Sequence, residues 1–126
     1  MHWFSNGVAM LAALGIIGIG VMYLSNPRAM TANFGLPLPE TGANTTWWLR
    51  LKGMRDIVSG LVVLAVMMWS GAQMLGIVLL IEALIPTSDM SLILAARGKT
   101  AAAFGIHGLT AALMILAAIP LIVGAA

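Results

Sequence analysis

Cysteine is absent from this 126-residue chain, and charged side chains are scarce. The absence of cysteine excludes disulfides, thiolate zinc sites and thiol redox chemistry. Charged residues make up 8% of the chain, whereas a typical soluble domain has about 25%. No nucleic-acid motif is present, and the net charge of +2 comes from six basic residues near the ends of apolar runs. These deficits exclude a soluble domain and argue against nucleic acid as a partner.

Long apolar runs account for most of the sequence. Hydrophobic residues make up 61% of the chain, and they form four segments at about residues 7–24, 47–69, 73–96 and 100–123. Each segment has the roughly 20 residues that a helix needs to cross a bilayer. We therefore predict an all-α fold, an integral membrane four-helix bundle that forms one domain over residues 1–126. Pro86 should kink the third segment, because proline cannot donate a hydrogen bond to the carbonyl of Glu82.

The first connection contains the signals of a further short helix. Asn26 followed by Pro27 is typical of a helix start, and Gly35 is a typical helix end, so a helix should run through Phe34. We expect this helix to lie on the membrane surface, followed by an extended loop over residues 36–42. Trp47, Trp48 and Trp69 mark the interfacial ends of the second segment.

The basic residues predict the orientation. All six lie in or near the first and third connections: Arg28, Arg50, Lys52, Arg55, Arg97 and Lys99. The positive-inside rule makes this side cytoplasmic, with both termini outside. The N-terminus lacks the basic region of a signal peptide, so the first segment should be retained. We expect a bacterial inner-membrane location, with membrane lipid as the surrounding partner.

Ionisable side chains inside the apolar segments are the candidate functional residues. They are Lys52, Arg55 and Asp56 in the second segment, Glu82 and Asp89 in the third, and His107 in the fourth. At 1.5 Å per residue, Asp56, Asp89 and His107 all lie about 10–14 Å from the cytoplasmic ends of their helices. Charges at such depth are costly and mark a functional site or a buried ion pair. Their common depth predicts one polar site between three helices.

The residue types favour acid–base chemistry. We expect Asp56 and Asp89 to act as base and acid, with His107 and Arg55 orienting or stabilising charge, and Glu82 as a deeper proton reservoir. The predicted substrate is a lipophilic small molecule with a polar end, in a pocket open to the cytoplasmic leaflet. Further side chains expected to contact it are Lys52, Trp48, Ser59 and Phe104. Isomerisation, cyclisation or epoxide opening would fit, because these reactions need proton transfer and no cofactor, and no cofactor motif is present.

Other functions remain open at this stage. The same charges could lock a structural subunit through buried ion pairs, with Lys52 and Asp56 as an i, i+4 pair. A homo-oligomeric proton-coupled transporter or channel is a third possibility, although the first segment carries no acidic residue. A metal site is not expected, because no two ligands have the close spacing of an H-x-x-x-H or E-x-x-H motif.

Four stretches resemble a family of small bacterial and fungal membrane proteins named only as a domain of unknown function, DUF4267. They are Phe34-Gly35-Leu36-Pro37, the segment from Lys52 to Leu61 (KGMRDIVSGL), the segment from Ala83 to Asp89 (ALIPTSD), and His107-Gly108-Leu109-Thr110-Ala111. The Arg-Asp pair and the Pro-x-x-Asp segment are the more specific parts. Ser88 departs from the pattern, in which glycine is expected before the aspartate. The resemblance implies a four-helix fold with this polar site, and it implies no particular activity.

Overall fold

The computed structural model describes residues 2–124, and within that range the chain is helical, with no strand. The prediction of an all-α structure is confirmed. The helices are α1 (Trp3–Ser25), α2 (Pro27–Phe34), α3 (Ala43–Trp69), α4 (Ala72–Glu82), α5 (Leu84–Ala95), α6 (Thr100–Ala102) and α7 (Leu109–Val123), with a π-helical segment, Ala103–Gly108, between α6 and α7.

The short helix α2 has the predicted bounds. Pro27 occupies its first turn, where a missing N–H costs nothing, and Gly35 ends it with a φ of 114°. Asn26 precedes the helix without a side-chain capping hydrogen bond. Helices α1 and α3 each begin four residues earlier than the hydrophobic pattern indicated, because polar residues at a helix start weaken the pattern without preventing the helix.

The third apolar segment is divided into two helices. Helix α4 ends at Glu82 and α5 begins at Leu84, with Pro86 in the first turn of α5. The interruption therefore precedes the proline by one turn, because proline has no N–H to donate to the carbonyl four residues earlier. The Oγ of Thr87 donates to the carbonyl of Ala83 at 2.7 Å in this same turn.

A π-helical segment in the fourth apolar segment was not predicted. A π-helix has a wider turn than an α-helix, so residues three apart no longer share a face. Ala103 is accordingly buried and His107 is largely buried, whereas Phe104 is exposed. The π-helical segment thus separates the side chains of Phe104 and His107, which the α-helical pattern placed together.

Two helix pairs form the bundle. The most extensive interface joins α1 to α3, the next joins α4 to α7, and α1 also contacts α7. The α1–α3 crossing is very close: a Cβ on Gly53 would lie 2.6 Å from the carbonyl oxygen of Gly20. Small residues at such crossings are typical of membrane helices, where close backbone approach maximises packing.

The apolar core occupies the half of the bundle that holds the N-terminal part of α1. Its buried members are Ala9, Ala13, Val63, Leu75, Leu79, Ala83, Met114, Ala117, Ala118 and Leu121. Many large apolar side chains cover the outside of the bundle instead, including Leu11, Ile81 and Leu116. An apolar exterior around a small-residue core is what a bilayer environment favours and water does not.

Three stretches are long and apolar enough to cross a membrane: Trp3–Ser25, Ala72–Ala95 and Thr100–Val123. Helix α3 has 27 residues, which is sufficient length, but it carries Arg50, Lys52, Arg55 and Asp56. By composition it therefore stands apart from the other three. The chain has the helices of a membrane protein, and the role of α3 depends on where its charges lie.

Candidate functional site

Lys52 and Asp56 form an ion pair one turn apart on α3. The Nζ of Lys52 lies 2.8 Å from an Oδ of Asp56, and the Asp56 side chain is 12% exposed. The ammonium also lies over two aromatic rings, 4.2 Å from the ring centre of Tyr23 and 5.1 Å from that of Phe34. A cation between a carboxylate and two ring faces is neutralised on several sides, so this charge is accommodated within the bundle.

His107 and Asp89 form a second pair, between the π-helical segment and α5. The Nδ1 of His107 lies 3.6 Å from an Oδ of Asp89, and the imidazole is 11% exposed. Its other nitrogen, Nε2, lies 2.9 Å from the carbonyl oxygen of Phe34. A carbonyl oxygen can only accept a hydrogen bond, so Nε2 is the donor and carries a proton. The main chain at the end of α2 therefore determines which imidazole nitrogen faces Asp89.

The side chain of Phe34 links the two pairs. The centre of its ring lies 4.6 Å from the centre of the His107 ring, and the two rings are tilted relative to each other. The same Phe34 ring lies beneath the Lys52 ammonium. Residues from five elements, α1, α2, α3, α5 and the π-helical segment, thus lie in one cluster joined through the ring of Phe34.

Glu82 lies apart from this cluster. Its carboxylate accepts a hydrogen bond from the Oγ of Ser59, and this contact joins the end of α4 to α3. Ser59 is about one turn beyond Asp56 on α3. Glu82, on α4, therefore contacts α3 about one turn away from Asp56. The hydrogen bond gives Glu82 a polar partner at the interruption between α4 and α5.

Three further predicted site residues lie outside the cluster, in addition to Ser59 and Glu82. Arg55 is exposed, and within residues 2–124 it makes no hydrogen bond or ion pair, because it is about 100° around the helix from Asp56. Trp48 is 64% exposed near the start of α3, and Phe104 is 58% exposed because of the π-helical turn. These positions differ from the expectation that all three contact a substrate beside the two acids.

Two members of the cluster were not identified from the sequence. Tyr23, which is 2% exposed, was not among the residues expected at the site. Phe34 was interpreted only as the last residue of a short helix, yet both its ring and its carbonyl oxygen contribute. A backbone acceptor has no side-chain signature, so no sequence pattern could have revealed this contact.

Two open cavities border the connection between α2 and α3. One, of about 450 Å³, is lined by residues including Leu36, Leu38, Arg97 and Lys99, and the other, of about 200 Å³, by residues including Arg28 and Glu40. Neither is lined by Asp89 or His107. The ring of Phe34 lies between the two charge pairs.

Among residues 2–124 no group of three His, Asp or Glu side chains is arranged to hold a metal ion. The two pairs instead bring together proton donors and acceptors, which can hold and transfer a proton. The fold and the cluster define a small helical protein of the membrane type with an internal acid–base cluster.

Comparison with protein families identifies the chain more closely. The family described as Domain of unknown function (DUF4267) matches residues 13–121, and the chain belongs to this family. The resemblance found in its motifs is thereby confirmed. Comparisons with curated proteins and with solved structures gave no match.

Proposed function

We propose that this protein is a four-span membrane protein that binds a lipophilic small molecule with a polar end and performs cofactor-free acid–base chemistry on it. The proposal has two parts, the membrane arrangement and the chemistry. Each is supported by a different group of contacts, and each has its own test.

The position of the charges supports a membrane-spanning α3. The helix would extend about 40 Å at 1.5 Å per residue, more than the roughly 30 Å hydrocarbon core. Lys52 and Asp56 neutralise each other inside the bundle, and Arg50 donates to the carbonyl of Leu24 at 3.2 Å, near the end of α1. Arg55 is long enough to extend toward the headgroups. With these charges accommodated, α2 would lie at the cytoplasmic surface.

The single observation that carries the chemistry is the placement of the His107 imidazole, whose Nε2 donates to the Phe34 carbonyl while Nδ1 lies 3.6 Å from Asp89. Because Nε2 donates to Phe34, a neutral His107 has an unprotonated Nδ1 facing the carboxylate. Two lone pairs would then face each other, so one proton on either Nδ1 or the Asp89 carboxyl stabilises the pair. The pair can therefore hold one proton and donate it, which is the property of a general acid.

The neighbouring pair would supply the other half of the reaction. Asp56 is an acceptor held by Lys52, and the ammonium can stabilise negative charge that develops on a substrate oxygen. The Asp89–His107 pair would donate one proton to the substrate, and Asp56 would remove one proton from it. The total number of protons on the protein is then unchanged. Isomerisation and cyclisation need no more than this, and epoxide opening needs water in addition. Glu82 would act as a proton reservoir through Ser59.

The ring of Phe34 marks where the substrate would bind. It lies between the Lys52 ammonium and the His107 imidazole, so a lipophilic group that displaces the ring would reach both charge pairs. The Phe34 side chain would have to rotate away, while the main chain at the end of α2 stays in place. The carbonyl of Phe34 would hold the imidazole in place while its side chain moves.

The test is mass spectrometry of compounds that co-purify with the protein in mild detergent. We expect wild type to retain a discrete compound other than phospholipid, and Asp89→Asn to lose it or retain a chemically different one. Glu40→Gln removes an acid from the exposed loop, far from His107, and should behave as wild type. Identical bulk lipid in all three proteins would contradict the proposal. Reduced stability of Asp89→Asn with no change in bound compounds would favour a structural role.

The membrane arrangement is tested separately by cysteine labelling, since the native chain contains no cysteine. Single cysteines at Thr41 and Gln73, at opposite ends of α3, should react with an impermeant thiol reagent from opposite sides of the membrane. Reaction of both from the same side would mean that α3 does not span the bilayer. This outcome would contradict the membrane arrangement but not the proposed chemistry at His107 and Asp89, which depends on contacts within the protein.

A further inference from the structure

The larger cavity combines basic and apolar walls at one end of the bundle. It measures about 450 Å³, within the range of small-ligand sites, and Arg97 and Lys99 line one part of it. Leu36 and Leu38 line another part, and the Leu38 side chain is 72% exposed. The turn that carries the two cations lies between two of the candidate membrane spans, so in the proposed membrane arrangement it would lie at the level of the lipid headgroups.

Neither cation has an acidic partner. Within residues 2–124 the ion pairs are Lys52 with Asp56 and His107 with Asp89, so Arg97 and Lys99 are left without a carboxylate. Two unpaired cations a few ångströms from a cavity attract an anion with several acceptor oxygens, and phosphate matches the guanidinium geometry. The adjoining leucines favour a ligand that also carries an acyl chain.

The backbone at Arg97 is a second observation, independent of charge. Helix α5 ends in a Schellman motif: the N–H of Gly98 donates to the carbonyl of Ile93 at 2.8 Å, and the N–H of Arg97 to that of Leu94 at 3.1 Å. The left-handed position of this motif is usually glycine, but here it is Arg97, with a φ of 56°. An arginine maintained in a strained conformation beside a cavity indicates that its side chain is needed there.

The turn is also fixed in place. The N–H of Lys99 donates to the carbonyl of Gly35 at 2.8 Å, which ties the turn to the end of α2. A Cβ on Gly98 would lie 2.9 Å from the Ile93 side chain and would collide with the backbone of Gly35. The two basic side chains therefore extend from a rigid base, which lowers the entropic cost of binding an anion.

We infer that this cavity binds a phosphate-bearing headgroup, with Arg97 and Lys99 contacting the phosphate and Leu36 and Leu38 the start of the chain. An acidic phospholipid of the cytoplasmic leaflet is the ligand that matches both walls. This site is separate from the acid–base cluster; it rests on the proposed membrane arrangement but not on the proposed chemistry.

The test is a titration of the purified full-length protein in mild detergent with short-chain phosphatidic acid, followed by native mass spectrometry. Arg97→Gln/Lys99→Gln should bind about tenfold or more weakly, because two charge-assisted contacts are lost. Arg28→Gln/Arg55→Gln removes the same charge outside the cavity and should bind within about twofold of wild type. Equal weakening in both double variants would overturn the inference.

A second variant remains informative if the double variant folds poorly. Arg97→Gly should raise the thermal midpoint, because glycine adopts the left-handed conformation without strain, while weakening phosphatidic acid binding. A higher midpoint with unchanged binding would contradict a ligand role for the side chain.

Two further ligands show whether the site recognises an anion, and whether that anion is a phospholipid or a soluble phosphate compound. Short-chain phosphatidylcholine should bind weakly, and equal binding would contradict recognition of an anion. Inorganic phosphate that competes at equal concentration would support a phosphate site and assign it to a soluble phosphate compound, whereas failure to compete would support the phospholipid.

Discussion

The close approach of α1 and α3 at Gly20 and Gly53 leads to a quantitative prediction. In Gly53→Ala the new Cβ would lie 2.6 Å from the carbonyl oxygen of Gly20 and 2.7 Å from the Cβ of Tyr23. Ordinary van der Waals contact begins at 3.4 Å, so the helices must separate locally by several tenths of an ångström. Both obstacles are close to the backbone, so no side-chain rotation relieves the overlap.

The expected cost follows from two opposing contributions. Overpacking of this kind costs about 1–3 kcal/mol, and the rigid obstacles here favour the upper end. Alanine regains about 1 kcal/mol of helix propensity relative to glycine. We therefore expect Gly53→Ala to lower the free energy of unfolding by about 2 kcal/mol. Because Tyr23 would be displaced, the contact of its ring with Lys52 should weaken as well.

Thermal unfolding in mild detergent, followed by tryptophan fluorescence, measures this effect. Gly18→Ala on α1 is the matched control, since a Cβ there meets no atom within 4 Å. It should be neutral or up to about 1 kcal/mol more stable than wild type. A Gly53→Ala protein as stable as Gly18→Ala would refute the packing that we describe for α1 and α3.

Two further predictions concern buried polar contacts. Lys52→Met should destabilise the protein by about 2 kcal/mol, because it leaves Asp56 unpaired and removes the cation from the ring of Tyr23. Adding Asp56→Asn to Lys52→Met should restore part of this loss, whereas independent additive losses in thermal unfolding would show that the two side chains do not interact. Ser59→Ala should cost about 1–2 kcal/mol, because Glu82 loses its donor, while Glu82→Gln retains an acceptor and should cost less. Equal stability of Ser59→Ala and wild type would argue against this hydrogen bond.

The sequence by itself determined the class of the protein. Its apolar runs predict helices without strands, and turn residues such as Pro27 and Gly35 predict the bounds of α2, because these signals depend on local backbone preferences. The polar stripe on α3 could also be predicted, since Lys52, Asp56 and Ser59 recur at helical spacing. The common depth of three titratable groups predicted one site for Asp56, Asp89 and His107; Asp89 and His107 form a pair, whereas Asp56 pairs with Lys52.

Local pattern was insufficient where the backbone departs from an α-helix. The π-helical segment turns Phe104 outward and His107 inward, and no propensity scale distinguishes its residues from an ordinary apolar helix. The break after Glu82 was predictable from Pro86, because proline has a specific steric effect on the turn before it. Arg55 was assigned to the interior from its neighbours, whereas one residue along a helix changes the direction of a side chain by about 100°.

Only the tertiary structure decided which groups complete the site. The carbonyl of Phe34 is 73 residues from His107 in sequence, and it determines the imidazole tautomer only because α2 folds back onto the π-helical segment. The ring of Tyr23 meets Lys52 only because two glycines let α1 and α3 approach closely. The sequence specifies which donors and acceptors the chain contains. The partner of each one depends on distances that only the packing of the helices determines.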